Sequence, residues 1–178
     1  MSNQAYVRAH TNIALIKYWG KRDEIDFLPM NSSLSMTLDK LYTDTMVVFD
    51  DSFAQDSFYL NGEKQGEKET KKISKFLDLF REEKKTAMRA RVESINRVPT
   101  AAGLASSASA FAALAGAANL ALGLDLDPQR LSTFARRGSG SATRSIYGGF
   151  VEWDMGTCSD DSFAVPVDDA SWGIGMVI

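Results

Sequence analysis

The order of secondary-structure signals in this sequence agrees with an α+β fold. Extended segments fall at 5–19 and 32–50, a strongly amphipathic helical segment follows at 67–85, and an apolar, alanine-rich segment spans 105–122. With 178 residues, of which 44% are hydrophobic and 24% charged, the chain is long enough to bury a core and has the balance of a globular protein.

The composition excludes several classes of function. The net charge of −3 gives no reason to expect nucleic acid, so any positive site must be local. The single cysteine, Cys158, excludes an internal disulfide and suits a reducing compartment. No apolar run approaches the length of a membrane span, and residues 1–10 lack a signal-peptide core. We therefore expect a cytoplasmic protein with no nucleic-acid or membrane partner.

The first extended segment, 5–19, runs into a polar stretch at 17–23. Its residues fall into two alternating sets, with Ile13, Leu15 and Trp19 in one and Asn12, Ala14, Ile16 and Tyr18 in the other. A strand that carries functional side chains on its second face has this pattern. The alternative is a plain buried strand whose tyrosine and lysine reach solvent at its end.

The next segments continue the extended pattern. Residues 26–31 predict a loop with a proline, and 32–50 predict one or two strands. The apolar positions in 58–60, followed by the Asn61-Gly62 pair, predict a hairpin turn.

The segment 67–85 predicts a helix with one apolar stripe. The stripe consists of residues at i, i+3, i+4 and i+7, which are Ile73, Phe76, Leu77 and Phe80. Its lysines are most simply a solvated face. A second interpretation places Lys71 or Lys72 on a lid over a nucleotide. Residues 86–96 then alternate in the manner of a strand.

The stretch from Pro99 to Gly123 carries the strongest chemical signal. Residues 103–105 predict a tight loop of small side chains, Ser106 and Ser107 the start of a helix, and the final glycine its end. Such a helix leaves its N–H groups and positive dipole end open to an anion, and two hydroxyls add donors. We interpret the stretch as a nucleotide-phosphate loop, against the alternative of a buried helix with an ordinary serine cap. Neither GxxxxGK[ST] nor GxGxxG occurs in the sequence.

Beyond this helix, 124–137 predict another helix, which Asp127 opens with Pro128 in its first turn. Residues 138–141, Gly-Ser-Gly-Ser, combine flexible backbone with hydroxyl donors. They could form a flexible linker, but the flanking arginines and a predicted strand at 149–153 argue against a free one.

Three of these segments resemble the GHMP kinase superfamily. The stretch Pro99-x-x-x-Gly103-Leu104-x-Ser106-Ser107-Ala108 resembles the phosphate-binding motif of that superfamily. The blocks TNIALIKYWGKRD at 11–23 and RRGSGSATRSIYGGFVEW at 136–153 resemble one family within it, the mevalonate diphosphate decarboxylases. The resemblance runs from about Ala5 to Trp153 in blocks that keep their order.

The resemblance implies a fold, a reaction and a division of the protein. The fold is the α+β N-terminal domain of GHMP kinases, related to the second domain of ribosomal protein S5. The reaction converts mevalonate 5-diphosphate and ATP, with Mg²⁺, into isopentenyl diphosphate, ADP, phosphate and carbon dioxide, in a homodimer. In the family the catalytic base is an aspartate of a C-terminal domain, so we expect this base beyond Ile178. We therefore expect 1–178 to be the N-terminal nucleotide-binding domain with the start of the second domain, inactive alone, and 172–178 to be an incomplete strand.

The resemblance also implies roles for individual residues. Arg144 is expected to bind the substrate carboxylate through two parallel hydrogen bonds, with Asn12 holding it in place. The residues expected to bind the substrate diphosphate are Tyr18, Lys21, Ser139, Gly140 and Ser141. Those expected to bind ATP are Asn96, Gly103, Leu104, Ala105, Ser106 and Ser107.

Two other functions stay open at this point. One is a GHMP kinase that phosphorylates a mevalonate-type hydroxyl without decarboxylation, and the other is a non-catalytic nucleotide-binding domain. His10 is the one histidine in the sequence and is expected to have a structural or surface role, while Cys158 has no histidine beside it in sequence. The absence of a Gly-x-Ser-x-Gly elbow argues against a hydrolase.

Overall fold

Two long antiparallel strands form the centre of the fold. The structure, a computed structural model, describes residues 3–99, 106–171 and 173. Strand β1 (Gln4–Ile16) pairs with β4 (Ser33–Asp50) along most of its length. The single strand β4 confirms the extended segment predicted at 32–50.

Strand β1 is interrupted by two shifts of register. The pairing with β4 slips between His10 and Asn12 and again between Ala14 and Ile16. Irregularities of this kind bend a strand and re-aim its side chains. The simple alternation predicted for 5–19 therefore does not hold along the second half of β1.

Further strands extend the sheet on the edge of β4 that β1 leaves free. They are β5 (Ser57–Leu60), β6 (Glu63–Lys64), β7 (Arg89–Asn96), β8 (Phe150–Trp153) and β9 (Ala164–Asp168). Within the described residues, seven strands form one sheet in the order β6-β5-β7-β4-β8-β9, with β1 also on β4. β4 is long enough to pair with β8 through residues 33–36 and with β7 through 43–50.

Most of the predicted strands are confirmed, and two short features are new. The turn at Asn61-Gly62 joins β5 to β6, as predicted. A small separate hairpin of β2 (Lys21–Asp23) and β3 (Leu28–Pro29) lies where we predicted a polar stretch and a loop. The sequence did not predict β2 and β3, because strands of two or three residues are too short to show an alternation. Strand β9 was also not predicted.

The alanine-rich segment is the innermost helix of the fold. This helix, α2 (Ser106–Leu122), packs on β1 and β4, and it contacts both α1 (Glu67–Lys84) and α3 (Pro128–Gly138). Buried residues occur on every side of it, which explains its alanines, because small side chains let neighbouring elements approach closely. Its bounds confirm the predicted start at the serines and the predicted end at the glycine.

The outer helix α1 confirms its predicted stripe. Phe76, Leu77 and Phe80 are buried, and the lysines of the helix are exposed. None of the helices in the described part of the chain is long and apolar enough to cross a membrane.

Helix α3 begins as predicted. The Asp127 carboxylate accepts a hydrogen bond from the backbone N–H of Arg130 at 2.9 Å, and Pro128 is the first helical residue.

Replacing this cap should destabilise the fold by a modest amount. We expect Asp127→Ala to lower the free energy of unfolding by about 1 kcal/mol, because one N–H at the helix start loses its acceptor. Urea unfolding followed by circular dichroism measures this change, and Asp127→Asn, which keeps an acceptor oxygen, is the control. Equal losses in both variants would contradict the capping role.

The Gly-Ser-Gly-Ser segment is partly or fully buried at every position, so it is not a flexible linker. It joins α3 to a buried 3₁₀ helix, Gly140–Ile146. Gly138 lies against the ring of Phe111 so closely that a Cβ there would overlap it. This contact couples the end of α3 to the first turns of α2.

Candidate nucleotide and substrate site

A cavity of about 230 Å³ opens beside the first turn of α2. One part of its wall is apolar, formed by Phe58, Leu60, Ile73, Phe111 and Leu114. The other part is polar and includes Thr43, Ser94, Asn96, Ser106 and Ser107. A mostly apolar cavity with a few placed hydroxyls and amides suits a flat ring attached to a polar chain. The predicted loop residues Gly103, Leu104 and Ala105 lie outside the described residues, so their role stays a prediction.

Asn96 lies at the end of β7 and shapes the rim of this cavity. Its Oδ1 accepts hydrogen bonds from the Val98 N–H and the Thr43 hydroxyl, both at 3.2 Å. Its Nδ2 donates to the Val98 carbonyl at 3.3 Å. The side chain thus holds the chain just before the predicted phosphate loop.

The structure distinguishes the two lysines that we considered for a lid. Lys71 forms an exposed ion pair with Glu67 at 2.6 Å. Lys72 instead lines the cavity, with Nζ 5.1 Å from the centre of the Phe111 ring. Of the two, Lys72 is the one placed beside the predicted nucleotide.

Arg144 is a buried cation without an acidic partner. It is 1% exposed, its Nη1 donates to the Ser33 hydroxyl at 2.5 Å, and its Nη2 donates to Asn12 Oδ1 at 3.5 Å. Among the described residues, its Nε has no hydrogen-bond partner and no carboxylate pairs with the guanidinium. Burial lowers the pKa of Arg144 to about 10, so the group stays charged at neutral pH.

The neighbouring Arg136 shows what a structural buried arginine looks like in this fold. It is also fully buried, but its guanidinium donates to the backbone carbonyls of Asp26, Ser159 and Ser162 and to the Ser159 hydroxyl. Those acceptors satisfy it. Arg144, by contrast, has one guanidinium nitrogen, Nε, without a hydrogen-bond partner among the described residues.

Asn12 connects β1 to the 3₁₀ helix. Its Nδ2 donates to the Ser141 carbonyl at 3.0 Å and to the Ser145 hydroxyl at 2.7 Å, while its Oδ1 faces Arg144. The register shift before Asn12 is what re-aims this side chain. The structure thus brings together the two residues that we predicted as an arginine and its support.

A row of hydroxyls joins the predicted nucleotide segment to the predicted substrate segment. Ser107 Oγ lies 3.2 Å from Ser139 Oγ, which lies 3.2 Å from Ser141 Oγ. The start of α2 and the residues after α3 therefore line one continuous polar surface. This surface connects the segment that we predict to bind ATP with the segment that we predict to bind the substrate diphosphate.

Gly140 and Tyr18 are in close contact. A Cβ at Gly140 would lie 2.8 Å from the Tyr18 hydroxyl oxygen and 3.2 Å from the Trp153 ring. Only glycine leaves room for the tyrosine at this point, which explains the second glycine of the Gly-Ser-Gly-Ser segment. Tyr18 thus joins the group around Arg144.

Lys21 is the predicted site residue that the structure does not bring into this group. It lies on the small β2–β3 hairpin, where its Nζ is 3.4 Å from Glu24 and 3.6 Å from the centre of the Phe27 ring. No contact among the described residues connects it to Arg144 or the serines. Its role toward a diphosphate stays a prediction.

The catalytic aspartate that we predict beyond Ile178 is not tested by the structure. Ile178 itself lies outside the described residues, as do 174–177. Within the described ranges no carboxylate forms an ion pair with Arg144. The position of the base therefore stays a prediction.

The sequence did not indicate three residues that contact the Arg144–Asn12 pair. Ser33 and Trp153 contact Arg144, and Ser145 contacts Asn12. Ser33 and Trp153 lie on neighbouring strands and have the pattern of ordinary strand residues. No spacing in the sequence links them to Arg144, because the link is the pairing of β4 with β8.

His10 and Cys158 lie outside this arrangement. The His10 ring packs on Tyr42 with ring centres 5.6 Å apart, and Cys158 is exposed. In the described ranges, no group of three or more His, Cys, Asp or Glu side chains is placed to hold a metal ion.

A comparison with known proteins covers most of the chain. Residues 9–164 match the family described as the diphosphomevalonate decarboxylase-like N-terminal domain. The chain belongs to this family. The matched residues include the whole group around Arg144, the described part of the cavity and the Gly-Ser-Gly-Ser segment.

Individual decarboxylases show how much of the protein is covered. The mevalonate diphosphate decarboxylase from Staphylococcus aureus is 56% identical, with a TM-score of 0.92 over 97% of this chain and 52% of that one. A solved complex with MVAPP, AMPPCP and magnesium is 58% identical, with a TM-score of 0.89 over 95% of this chain and 52% of that one. The diphosphomevalonate decarboxylase of Candida albicans is 44% identical over 92% of this chain and 49% of its own length. The chain thus spans about half the length of these decarboxylases.

Removal of the serine hydroxyls at the start of α2 tests whether this chain has the predicted nucleotide site. We use the completed protein, defined as residues 1–178 followed by the part of the Staphylococcus aureus decarboxylase that this chain does not cover. Ser106→Ala or Ser107→Ala should weaken nucleotide use by about 1–3 kcal/mol, and substrate binding by less, if a hydroxyl bonds a phosphate. Nucleotide KM and kcat measure this effect.

The control is Ser132→Ala on α3, whose buried hydroxyl bonds the Gln129 carbonyl and the Ala164 N–H. That variant should lose stability and keep its nucleotide KM. Wild-type nucleotide affinity and rate in both Ser106→Ala and Ser107→Ala would mean that α2 is a core helix only.

Proposed function

We propose that this chain is the N-terminal half of an ATP-dependent mevalonate diphosphate decarboxylase. In this proposal it contributes the nucleotide cavity and the arginine that binds the substrate carboxylate. Residues 1–178 would comprise the nucleotide-binding domain and the start of a second domain. The catalytic aspartate would lie in the remaining half, beyond Ile178.

The observation that carries the proposal is the state of Arg144. A buried cation whose donors are not all satisfied is costly, and Arg144 Nε has no hydrogen-bond partner among the described residues, whereas the Arg136 guanidinium is satisfied. The donors left on this guanidinium match the planar geometry of a carboxylate. The hydroxyls of Ser139, just before the same 3₁₀ helix, and of Ser141, within its first turn, suit phosphate oxygens.

The proposed reaction needs a positive site for an anionic substrate. Phosphorylation of the C3 hydroxyl of mevalonate 5-diphosphate by ATP turns a poor leaving group into a good one. Departure of that phosphate builds positive charge at C3, and the electrons of the bond to the carboxylate carbon form the double bond as carbon dioxide leaves. The balance is mevalonate 5-diphosphate and ATP to isopentenyl diphosphate, ADP, phosphate and carbon dioxide.

The residues of this chain have positioning and electrostatic roles in that reaction. The cavity beside α2 would hold the nucleoside, and the start of α2 would face the phosphates with N–H groups and hydroxyls. Arg144, held by Asn12 and Ser33, would orient the carboxylate. Magnesium takes oxygen ligands and is usually held by phosphates with few protein groups, and the hydroxyls of Ser106 and Ser107 are donors of that class.

We further propose a homodimer in the cytoplasm. The single cysteine, which suits a reducing compartment, supports the location. The family resemblance alone supports the dimer.

The test is product analysis with the completed protein. Incubation with mevalonate 5-diphosphate, ATP and magnesium should release carbon dioxide and ADP in equal amounts. The part taken from Staphylococcus aureus, assayed alone, is the control and should be inactive. An accumulating 3-phosphate compound without carbon dioxide would instead identify a kinase, and nucleotide binding without turnover a non-catalytic domain.

A further inference from the structure

Trp153, the last residue of β8, lies beside the Arg144 guanidinium and is fully buried. The Arg144 Cζ atom is 5.8 Å from the centre of the Trp153 ring and 5.9 Å from the centre of the Tyr18 ring. The two rings meet edge to face, with centres 4.9 Å apart and planes at 68°. Arg144 therefore packs against a pair of aromatic rings.

The indole of Trp153 is fixed from two directions. Its Nε1–H donates to the Ser162 hydroxyl at 3.0 Å, and that hydroxyl donates to the Asp154 carbonyl at 3.0 Å. On the other side, the backbone of Gly140 approaches the ring so closely that a Cβ would lie 3.2 Å from it. The ring thus has a satisfied polar atom and little freedom to move.

Two aromatic rings can stabilise the buried Arg144 guanidinium without occupying its N–H donors. A buried guanidinium needs stabilisation, but a carboxylate partner from the protein would occupy the same N–H donors that a substrate carboxylate requires. The face of an aromatic ring attracts a cation through the ring quadrupole. This attraction leaves the N–H donors in the guanidinium plane free for other partners. Ser33 and Asn12 contact only the two terminal nitrogens, and Nε has no partner among the described residues.

We propose that Trp153 is a positioning residue, which together with Tyr18 holds the Arg144 guanidinium in place while leaving its donors for the carboxylate of the substrate. This inference rests on the proposed function. It assigns to Trp153 a role that neither the sequence motifs nor the family match indicates. Ser162 supports this role indirectly, because its hydroxyl accepts the hydrogen bond that fixes the indole.

The test measures binding of two ligands to the completed protein by calorimetry without nucleotide. Mevalonate 5-diphosphate carries the carboxylate, and isopentenyl diphosphate keeps the diphosphate but lacks it. Trp153→Leu should raise the Kd for mevalonate 5-diphosphate by about tenfold to thirtyfold and leave that for isopentenyl diphosphate nearly unchanged. Val151→Ala, at a fully buried position of the same strand, is the packing control and should change thermal stability without separating the two ligands.

A second variant keeps the test decisive if Trp153→Leu does not fold. Trp153→Phe retains an aromatic ring but loses the Nε1–H bond to Ser162. It should raise the Kd for the carboxylate ligand alone by about twofold to fivefold. Equal affinity changes for both ligands, or no change for either in a folded Trp153 variant, would overturn the positioning role.

Arg144→Lys and Trp153→Leu together distinguish the role of Trp153 from the proposed function. In the Arg144→Lys background, Trp153→Leu should have little additional effect on mevalonate 5-diphosphate binding, because the two residues act on the same contact. If Arg144→Lys weakens this binding while a folded Trp153→Leu does not, the role of Trp153 is wrong and the proposed function stands. If Arg144→Lys has no effect on it, the proposed function fails first.

Discussion

In the completed protein, Arg144→Lys should lower the rate of carbon dioxide release by at least about a hundredfold, with nucleotide affinity nearly unchanged. Lysine keeps the positive charge but not the planar pair of N–H donors that binds a carboxylate. It also loses the flat group that packs against the rings of Tyr18 and Trp153. We expect the loss in kcat because orientation of the carboxylate matters most as the bond to it breaks.

The control for this experiment is another buried arginine. Arg81→Lys on α1 removes a guanidinium that is 5% exposed and bonds Asp56 at 2.5 Å and Asp78 at 2.8 Å, in a network that does not include the candidate site. That variant should unfold at lower temperature and keep the kcat of the folded protein. Near-normal turnover in Arg144→Lys would remove Arg144 from the catalytic group.

Residues 1–178 alone should show no measurable decarboxylation and at best weak ATP binding. In the proposed function the catalytic aspartate would lie beyond Ile178, and transfer followed by fragmentation would need groups from both halves held in one geometry. The measurement is ATP-dependent release of carbon dioxide by the purified chain, with the completed protein as the positive control. Robust turnover by the chain alone would show that the base lies within these residues.

The isolated chain should also self-associate. Several large apolar side chains between the end of β1 and the start of β4 are exposed, with Ile16 at 58%, Trp19 at 72%, Ile25 at 76% and Met30 at 58%. Where exposed apolar side chains form a contiguous patch, they commonly mark a surface that another element covers. Light scattering should therefore report larger species for residues 1–178 than for the completed protein at the same concentration. The predicted incomplete strand at 172–178 lies almost wholly outside the described residues, and its contribution stays a prediction.

The elements of this fold that carry a repeating pattern were predictable from sequence. The stripe of α1, the serine start and glycine end of α2, and the cap of α3 all depend on residues near one another in the chain. The same holds for the turn at Asn61-Gly62. Local spacing and backbone preference determine such features, so tertiary contacts are not needed to recognise them.

The identity of the candidate site was predictable in part, through motifs that resemble a known family. The block at 136–153 marked Arg144 and the serines before it, and the block at 11–23 marked Asn12, Tyr18 and Lys21. What the motifs did not show is which of these residues meet. The structure brings Asn12 and Tyr18 to Arg144 and leaves Lys21 on a separate hairpin.

Sequence alone therefore determined the class of the fold, the positions of the three α-helices in the described part of the chain and the motifs that mark the candidate site. Only the tertiary structure decided that Arg144 is buried without an acidic partner and packs against Trp153. The reason is physical: burial and ring contacts at Arg144 depend on β4 pairing with both β1 and β8, which brings together residues more than a hundred positions apart. No periodicity within one segment encodes a contact of that range.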